Sequence, residues 1–446
     1  MDIMQFEDKS LSHYSYAIIS DNEMILVDPA RNPQPYYDLA KDNNAKIIAI
    51  IETHPHADFV SSHLEIHNTT SATIYVSKLL DAEYPHTPFD EGDTIQVGKI
   101  SLKALNTPGH SPDSICIVAY DEEGNEKAVF TGDTLFIGDC GRPDLREKAG
   151  ALTAKREILA KEMYHSLRDK LMSLPDKVLV YPAHGAGSLC GRGLSEKNTS
   201  TMGIEKASNW CLQKMSEEDF VTELLRDQPF VPQYFTYDVA LNKKGADNFL
   251  ESISGIKIEN SVPAQLKNYL IIDTRDKNQY KKGFLKNSVN LMADGPFETW
   301  LGSIIAPHEK FYLIATGKDV LLSLIERAAK IGYEQQIESA FIAKEIEGEK
   351  IYNADVDYLR RSLHDFTIMD IRNPSEVNEK KIFDEAINIP LFELRNRVNE
   401  IPTDKPIVVH CAGGYRSAAG ASIIKNFLNA ETEVFDLGEA VNLFKE

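Results

Sequence analysis

The sequence has few of the features that would place it outside a reducing compartment. It contains five cysteines, an odd number, and their spacings form no CxxC pair, so free thiols are expected rather than a disulfide framework. No apolar run approaches the ~18 residues that a membrane helix needs. The first eight residues carry acids where a secretory signal needs bases. We therefore expect a cytoplasmic protein that does not enter a membrane.

Basic residues are also scarce relative to acids. The chain has 48 Lys and Arg against 68 Asp and Glu, which gives a net charge of −20. Such a chain is a poor candidate for binding nucleic acid or an anionic membrane, because its overall field repels phosphate. The length of 446 residues and the 42% hydrophobic content are typical of a soluble globular protein with about three domains.

Three domains are predicted, at 1–235, 236–350 and 351–446. The first alternates many strand-like segments with few helices, which predicts two packed sheets with helices outside. Within it, residues 95–105 are predicted to form one strand, and residues 154–174 and 216–226 to form helices. The segment from Pro229 to Pro232 marks the first boundary.

A weak internal duplication follows that boundary. Residues 269–275 are similar to residues 366–372, and each copy leads to another apolar strand and a helix. Asp273 is 42 positions before Ala315, and Asp370 is 41 positions before Cys411. This pitch predicts two small α/β domains with mainly parallel sheets.

Four polar motifs each come directly after an apolar strand of the first domain. They are the segment with His54, His56 and Asp58, the Gly-His turn of His110, the Thr-Gly-Asp segment of Asp133, and the Pro-Ala-His-Gly segment of His184. Loops that follow strands of one scaffold converge, and binding sites are commonly built there. A surface loop that happens to be rich in histidine could explain the first motif alone, but four such motifs favour a metal site.

Together these motifs resemble the metallo-β-lactamase superfamily, which implies an αββα sandwich over the whole first domain. In its hydrolase branch, such as the glyoxalase II thioesterases, the first motif continues as HxHxDH and supports two zinc ions. Phe59 follows Asp58 here, and a phenyl ring binds no metal. The branch that the sequence most resembles is the persulfide dioxygenases, where two histidines and one aspartate hold one iron. By motif position, these are His54, His110 and Asp133.

A site of two histidines and one carboxylate leaves coordination positions open, as in non-haem Fe(II) oxygenases. The resemblance therefore implies one Fe(II) per chain, which zinc could replace during purification. His56, Asp58 and His184 are expected to surround the ligands. They either hydrogen-bond to the ligands or to the substrate and tune the iron, or serve only in packing.

Two further residues lie in stretches that resemble the dioxygenases and their fusions with rhodanese domains. Arg142 either binds an anionic thiol carrier or pairs with Asp144, and the ion pair is the safer expectation. Cys190 either takes up a sulfur atom near the iron or is a small buried apolar residue.

The last domain carries a second motif, in which Cys411 and Arg416 flank a short loop between a strand and a helix. Successive backbone N–H groups and the helix N-terminus form an anion cradle there, so Cys411 is expected to be a thiolate nucleophile. The remaining cradle residues are Ala412, Gly413, Gly414, Tyr415 and Ser417. The domain resembles a single-domain rhodanese. Cysteine phosphatases use a C-x5-R loop, and the tighter C-x4-R loop here suits a sulfur atom better.

The middle domain departs from this pattern. Ala315 stands where the cysteine belongs, and Val320 stands where the arginine belongs. No covalent sulfur transfer is expected there, and the domain is interpreted as a pseudo-rhodanese that spaces its neighbours or shapes a substrate channel.

The predicted function is oxidation of a small persulfide, of glutathione, coenzyme A or a similar thiol, by O₂ to sulfite and thiol. Cys411, with Arg416 holding the anion, would then transfer sulfane sulfur to sulfite and give thiosulfate. A homo-oligomer is the expected assembly. Two alternatives stay open: a glyoxalase II-like zinc thioester hydrolase fused to a sulfurtransferase, and a sulfur-carrier or persulfide-binding protein that oxidises nothing.

Overall fold

The computed structural model describes residues 1–146, 155–428 and 431–445. The chain forms two compact units, one from Met1–Ser252 with Ala329–Gly332 and one from Ile253–Ala328 with Tyr333–Glu446. The predicted boundaries near residues 235 and 350 stay predictions. In the described ranges, no helix has the length and apolar character to cross a bilayer.

The first unit is built on two six-stranded sheets. One sheet has the spatial order β1-β2-β3-β4-β5-β6, and the other has the order β12-β11-β10-β9-β8-β7. The strands of the first sheet are β1 (Asp2–Asp8), β2 (His13–Ser20), β3 (Glu23–Val27), β4 (Lys46–Ile51), β5 (Thr73–Val76) and β6 (Thr87–Pro88). Those of the second are β7 (Thr94–Val97), β8 (Ile100–Asn106), β9 (Ile115–Tyr120), β10 (Glu126–Gly132), β11 (Leu179–Pro182) and β12 (Ser200–Thr201).

Helices cover the outer faces of both sheets. These covering helices are α1 (Gln34–Asp42), α2 (His63–Thr70), α3 (Arg156–His165), α4 (Met202–Ser208) and α5 (Glu217–Leu225). Two more helices follow, α6 (Tyr234–Lys244) and α7 (Phe249–Ser254), and α7 ends in the second unit. One apolar cluster, with Ile18 and Phe130 among its members, lies between the sheets. Two more lie between a sheet and its helices. This layering confirms the predicted αββα sandwich.

Two predicted elements of the first unit differ from the structure. Residues 95–105 form a hairpin rather than one strand, because Gly98 turns the chain with φ +51°. A Cβ at Gly98 would lie 2.6 Å from the Ser20 carbonyl oxygen, so only glycine fits this turn. The helix predicted over 154–174 begins at Arg156 in the described chain. It changes after His165 into a π-type turn over Ser166–Lys170 and a 3₁₀ turn over Leu171–Ser173.

The second unit contains two five-stranded sheets, and all of their described pairings are parallel. The first has the order β13-β17-β16-β14-β15 and the second has the order β18-β22-β21-β19-β20. The first uses β13 (Ile258–Glu259), β14 (Leu270–Asp273), β15 (Ser288–Asn290), β16 (Phe311–Ala315) and β17 (Ile337–Ile342). The second uses β18 (Tyr352–Asn353), β19 (Thr367–Asp370), β20 (Ile387–Asn388), β21 (Ile407–His410) and β22 (Val434–Asp436).

Helices of the second unit follow its strands, as parallel sheets require. They are α8 (Lys277–Lys282), α9 (Phe297–Ile304), α10 (Lys318–Lys330), α11 (Val356–Arg361), α12 (Pro374–Glu379), α13 (Leu391–Arg397) and α14 (Tyr415–Phe427). The central strands β14, β16, β19 and β21 are buried along their whole length, which suits a sheet covered on both faces. The predicted α/β class is confirmed for both sheets.

Candidate metal centre and sulfur-transfer loop

The three predicted metal ligands meet at one end of the first unit's sandwich. His54 follows β4 of one sheet, while His110 and Asp133 follow β8 and β10 of the other. His54 Nε2 is 3.7 Å from Asp133 Oδ2, and His110 Nε2 is 3.4 Å from the same oxygen. Metal–ligand bonds of about 2.0–2.2 Å from one ion would bridge these separations. All three side chains are buried.

Hydrogen bonds on the far side of each imidazole fix its orientation. His110 Nδ1 donates to the Arg142 carbonyl at 2.8 Å. His54 Nδ1 lies 3.0 Å from the Thr53 hydroxyl, which already donates its proton to Asp28 at 2.8 Å and so must accept from the ring. Both Nε2 atoms therefore carry lone pairs toward Asp133, which is the state that a metal ligand needs.

The charges of the three residues suit the same purpose. Burial lowers the pKa of His54 and of His110, so both rings are neutral at pH 7. Burial alone would raise the pKa of Asp133, but the facing histidines, His184 first, hold that pKa well below its usual range. His54 Nε2 and Asp133 Oδ2 make no hydrogen bond. Two neutral imidazoles and one carboxylate thus face one point.

His184 and Asp58 stand behind the aspartate. His184 Nδ1 is 2.7 Å from Asp133 Oδ1, and His184 Nε2 is 2.8 Å from Asp58 Oδ2. Burial opposes protonation, yet the two carboxylates raise the pKa of His184 well above its ordinary value. The ring ties one oxygen of Asp133 in place and leaves the other toward His54 and His110.

His56 is turned away from this group. Its Nε2 is 3.2 Å from Asp28 Oδ1 and 4.0 Å from Glu52 Oε2. Phe59 packs against it with a ring-centroid separation of 4.4 Å, and against His13 at 3.8 Å. The position that would carry the next ligand of a two-metal site is therefore an apolar wall.

Arg142 and Cys190 are both buried and lie in two different loops beside the centre. Arg142 donates to both oxygens of Asp144 at 2.7 Å and to the Leu189 carbonyl at 3.1 Å. The ion pair with Asp144, the safer of the two expectations, is thus present. Cys190 groups with Asp58 and His184, with ligand atoms within 4.8 Å of one another, and burial raises the pKa of its thiol well above the ordinary value.

In the second unit, the predicted cradle closes around Cys411. The backbone N–H groups of Gly414 and Ser417 donate to Cys411 Sγ at 3.1 and 3.3 Å. Gly414 has φ +102° and immediately precedes α14, so the helix N-terminus also faces the sulfur. Ala412, Gly413 and Tyr415 complete the turn. Two backbone N–H donors and a helix N-terminus therefore face Cys411 Sγ.

Arg416 does not point an unpaired guanidinium at the cradle. Its Nη1 and Nη2 donate to the two oxygens of Glu376 at 2.6 and 2.7 Å. Glu376 in turn accepts from the Asn373 N–H in the capping box of α12. An incoming anion would compete with Glu376 for this arginine.

Sequence reasoning missed residues that hold these sites together. Asn242 of α6 donates to the carbonyls of His56 and Phe59 at 2.8 and 2.7 Å and accepts from the Ser61 N–H. Asp28 binds the Thr53 N–H at 2.7 Å. Asn242 is 183 positions from Phe59, and a single asparagine at that distance gives no motif. Asp28 could have been found, because it directly follows an apolar strand, as the other polar residues of the site do.

Comparison with known proteins identifies two families in this chain. The model of the metallo-beta-lactamase superfamily matches residues 9–184, and that of the rhodanese-like domain matches residues 355–446. The chain is similar to the mitochondrial persulfide dioxygenase ETHE1 of Mus musculus, at 30% identity over 201 residues, which cover 44% of this chain and 72% of the relative. It is also similar to a probable hydroxyacylglutathione hydrolase, glo2, of Schizosaccharomyces pombe, at 33% identity over 39% of this chain and 64% of the relative.

Among solved structures, the chain resembles a metallo-beta-lactamase from Staphylococcus aureus. The TM-score is 0.68 with 31% identity, over 77% of this chain and 99% of that one. A likeness of that extent runs beyond the first 252 residues. The chain therefore belongs to the metallo-β-lactamase superfamily, as a fusion in which a domain related to the persulfide dioxygenases is joined to a C-terminal rhodanese-like domain.

Proposed function

We propose that the first domain oxidises a low-molecular-weight persulfide with O₂ at one Fe(II), and that Cys411 passes sulfane sulfur to the resulting sulfite. The observation that carries the proposal is the convergence of His54 Nε2, His110 Nε2 and Asp133 Oδ2 on one point. Beside it, Phe59 fills the next ligand position, and His56 faces Asp28. One metal with three protein ligands fits these residues, and Phe59 in place of a further ligand disfavours a two-metal hydrolase site.

The three residues would hold the iron, because two imidazoles and one carboxylate are the donor set of non-haem Fe(II) oxygenases. When bound there, Fe(II) supplies open positions for the persulfide sulfur and O₂ and the redox chemistry that joins them. His184 keeps Oδ1 of Asp133 engaged, so that Oδ2 stays available. Phe59, only 1% exposed, keeps water from the flank next to His56.

The proposed reactions balance in atoms and charge. The persulfide RSS⁻, O₂ and water give RSH, sulfite and one proton. Separately, Cys411 attacks the outer sulfur of a second persulfide, which releases the thiol and leaves a Cys411 persulfide. Sulfite then attacks that outer sulfur, the S–S bond breaks, and thiosulfate leaves with Cys411 again a thiolate. The N–H groups of Gly414 and Ser417 stabilise the anion before and after each transfer.

Oxygen uptake by the iron-loaded full chain, given glutathione or coenzyme A persulfide, tests the proposal. We expect uptake with formation of thiosulfate in the wild type. Cys411→Ser should keep oxygen uptake and shift the product to sulfite. Asp133→Asn should lose iron and oxygen uptake while transfer of sulfur from thiosulfate to cyanide, which uses only Cys411, continues. Undiminished thiosulfate production by the Cys411→Ser variant would refute the coupling.

The same experiment separates the rival functions. A zinc thioester hydrolase is favoured by relatives named hydroxyacylglutathione hydrolase, and it would cleave a glutathione thioester with zinc bound and consume no O₂. A sulfur carrier would form the Cys411 persulfide without oxygen uptake.

All five cysteines are unpaired and buried, which supports the proposed cytoplasmic location.

A further inference from the structure

The catalytic loop of the last domain rests on the middle domain as well as on its own. The Tyr415 hydroxyl donates to the Met292 carbonyl at 3.1 Å. The edge of its ring lies against Gly295, where a Cβ would stand 2.6 Å from Tyr415 Cε2 and 3.0 Å from Cδ2. Gly295 has φ +121°, so both space and backbone require glycine at this position.

The helix that begins at this loop continues along the middle domain. Ser422 Oγ accepts from the Asn290 N–H at 2.9 Å, and Asn426 Nδ2 donates to the Ser288 carbonyl at 2.8 Å. Tyr415, Ser422 and Asn426 are seven and four positions apart, so they share one face of α14. Their partners lie on or just after β15, the edge strand of the middle sheet. The helix therefore covers an edge that would otherwise be open.

Arg327 holds in place the segment that Tyr415 contacts. Arg327 donates to the Ala293 carbonyl at 2.6 Å and to the Gly295 carbonyl at 2.8 Å. Its guanidinium also pairs with both oxygens of Glu298, which is fully buried. We call residues 292–295 with Arg327 the tyrosine seat. Because a buried ion pair holds it, the seat resists displacement of the ring.

Tyr415 lies between the two residues whose N–H groups hold Cys411 Sγ, Gly414 and Ser417. Burial raises the pKa of Tyr415, so its hydroxyl stays a donor to Met292. We propose that the middle domain, which has no nucleophile of its own, is a fixed half of the sulfurtransferase site. Its tyrosine seat makes Tyr415 a positioning residue that keeps both N–H groups on the sulfur. The inference rests on the proposed role of Cys411.

Gly295→Ala in the iron-loaded full chain tests this, because the added methyl must push the Tyr415 ring. Gly317→Ala is the matched control. Gly317 lies in the middle domain's equivalent loop, where Ala315 replaces the cysteine, and a Cβ there would meet nothing within 4 Å. We expect Gly295→Ala to lower the rate of Cys411 alkylation by iodoacetamide at pH 7 about tenfold and to move the midpoint of its pH profile upward. Sulfur transfer to cyanide should fall in kcat by a similar factor, with oxygen uptake unchanged.

A double-mutant cycle shows whether the effect passes through the ring. In a Tyr415→Ala background, Gly295→Ala should have little further effect on Cys411 alkylation, because the ring that would pass the disturbance at residue 295 to the loop is gone. Tyr415→Phe, which keeps the ring and loses only the bond to Met292, should fall between the wild type and Tyr415→Ala. Additive losses, or a Gly295→Ala protein with the wild-type alkylation profile, would overturn the inference. If the wild type transfers no sulfur, the proposed function fails, and the alkylation profiles still decide the positioning role.

Discussion

Asp273 and Arg275 of the middle domain make the same contacts as Asp370 and Arg372 of the last. Arg275 binds both oxygens of Asp273 at 2.9 and 2.7 Å, and Arg372 binds both oxygens of Asp370 at 3.0 and 2.6 Å. In each domain, an asparagine donates to the carbonyls of that aspartate and that arginine. These are Asn290 in the middle domain and Asn388 in the last.

The loops above this shared framework differ. In the last domain, Gly414 has φ +102° and α14 begins at Tyr415, which curls two N–H groups onto Cys411. In the middle domain, α10 begins at Lys318, the position that corresponds to Gly414, and Ala315 replaces the cysteine. The comparison indicates that the aspartate–arginine framework serves the fold, while the proposed sulfur transfer depends on a handful of loop residues.

The largest expected effect comes from breaking the framework in either domain. Asp370→Asn and Asp273→Asn each leave a buried arginine without its carboxylate, and each should lower the free energy of unfolding by about 3–5 kcal/mol. Native-state hydrogen exchange on the full chain checks this, read from peptides that cover β19 and β14. Equal losses would support a purely structural framework. A variant of the last domain that kept wild-type protection and lost only sulfur transfer would contradict it.

The next effect separates the domains by pH. His410 pairs in register with Asp370, whereas the middle domain has Ile314 opposite Asp273. Burial, aided by Arg372, lowers the pKa of His410 to about 4, against 6.5 for a free histidine. As the pH falls, His410 is therefore protonated in the unfolded chain before it is protonated in the folded chain. The contribution of neutral His410 to the free energy of unfolding is complete above pH 6.5. About 3 kcal/mol of it is lost between pH 6.5 and pH 4.

Urea unfolding of the full chain at a series of pH values measures this loss. A pulse of 4,4′-dipyridyl disulfide, which reacts with thiols in acid, reports exposure of Cys411 and hence unfolding of the last domain. His410→Ile places at this position the residue type that the middle domain has at Ile314. The stability of this variant should depend less on pH between 6.5 and 4 than that of the wild type. Identical pH dependence of the two proteins would show that His410 is not the group responsible.

A smaller effect is expected inside the catalytic loop. A Cβ at Gly414 would lie 3.1 Å from the Glu439 nitrogen, and the backbone there has φ +102°. Gly414→Ala should therefore lower the free energy of unfolding by about 1–2 kcal/mol. It should also reduce sulfur transfer to cyanide at least as strongly as Gly295→Ala, which acts through the Tyr415 ring. Gly413→Ala is the control, because its Cβ would meet nothing within 4 Å. Equal kcat values for the two variants would argue against a role for the curled backbone.

The smallest effect should come from restoring a cysteine to the middle domain. Ala315→Cys in a Cys411→Ser background should give no sulfur transfer, since the helix starts at Lys318 and no glycine curls the backbone around the new thiol. Its alkylation at pH 7 should be slower than that of Cys411 in the wild type, measured by mass spectrometry of the two peptides. Sulfur transfer above background would mean that the cysteine alone distinguishes the domains.

Much of the site could be predicted because each motif follows a strand. His54, His110 and Asp133 come directly after apolar strands, and sandwich geometry brings such positions to one edge. The hairpin at Gly98 was not predicted, since Val97 and Ile100 continue the apolar pattern across a two-residue turn. The change of helix type after His165 was also not predicted. The apolar periodicity continues past this residue, whereas the α-helical hydrogen-bond pattern ends there.

The sequence by itself determined the αββα sandwich, the parallel sheets that follow it, the absence of a nucleophile at Ala315 and the identity of the residues that could bind a metal. These follow from local patterns of apolar residues and from side-chain chemistry. Only the tertiary structure decided that His56 turns to Asp28, that Glu376 occupies Arg416 and that Tyr415 rests on Gly295. Each of those contacts joins residues from different elements, and their distances depend on how strands and helices pack, which no local pattern encodes.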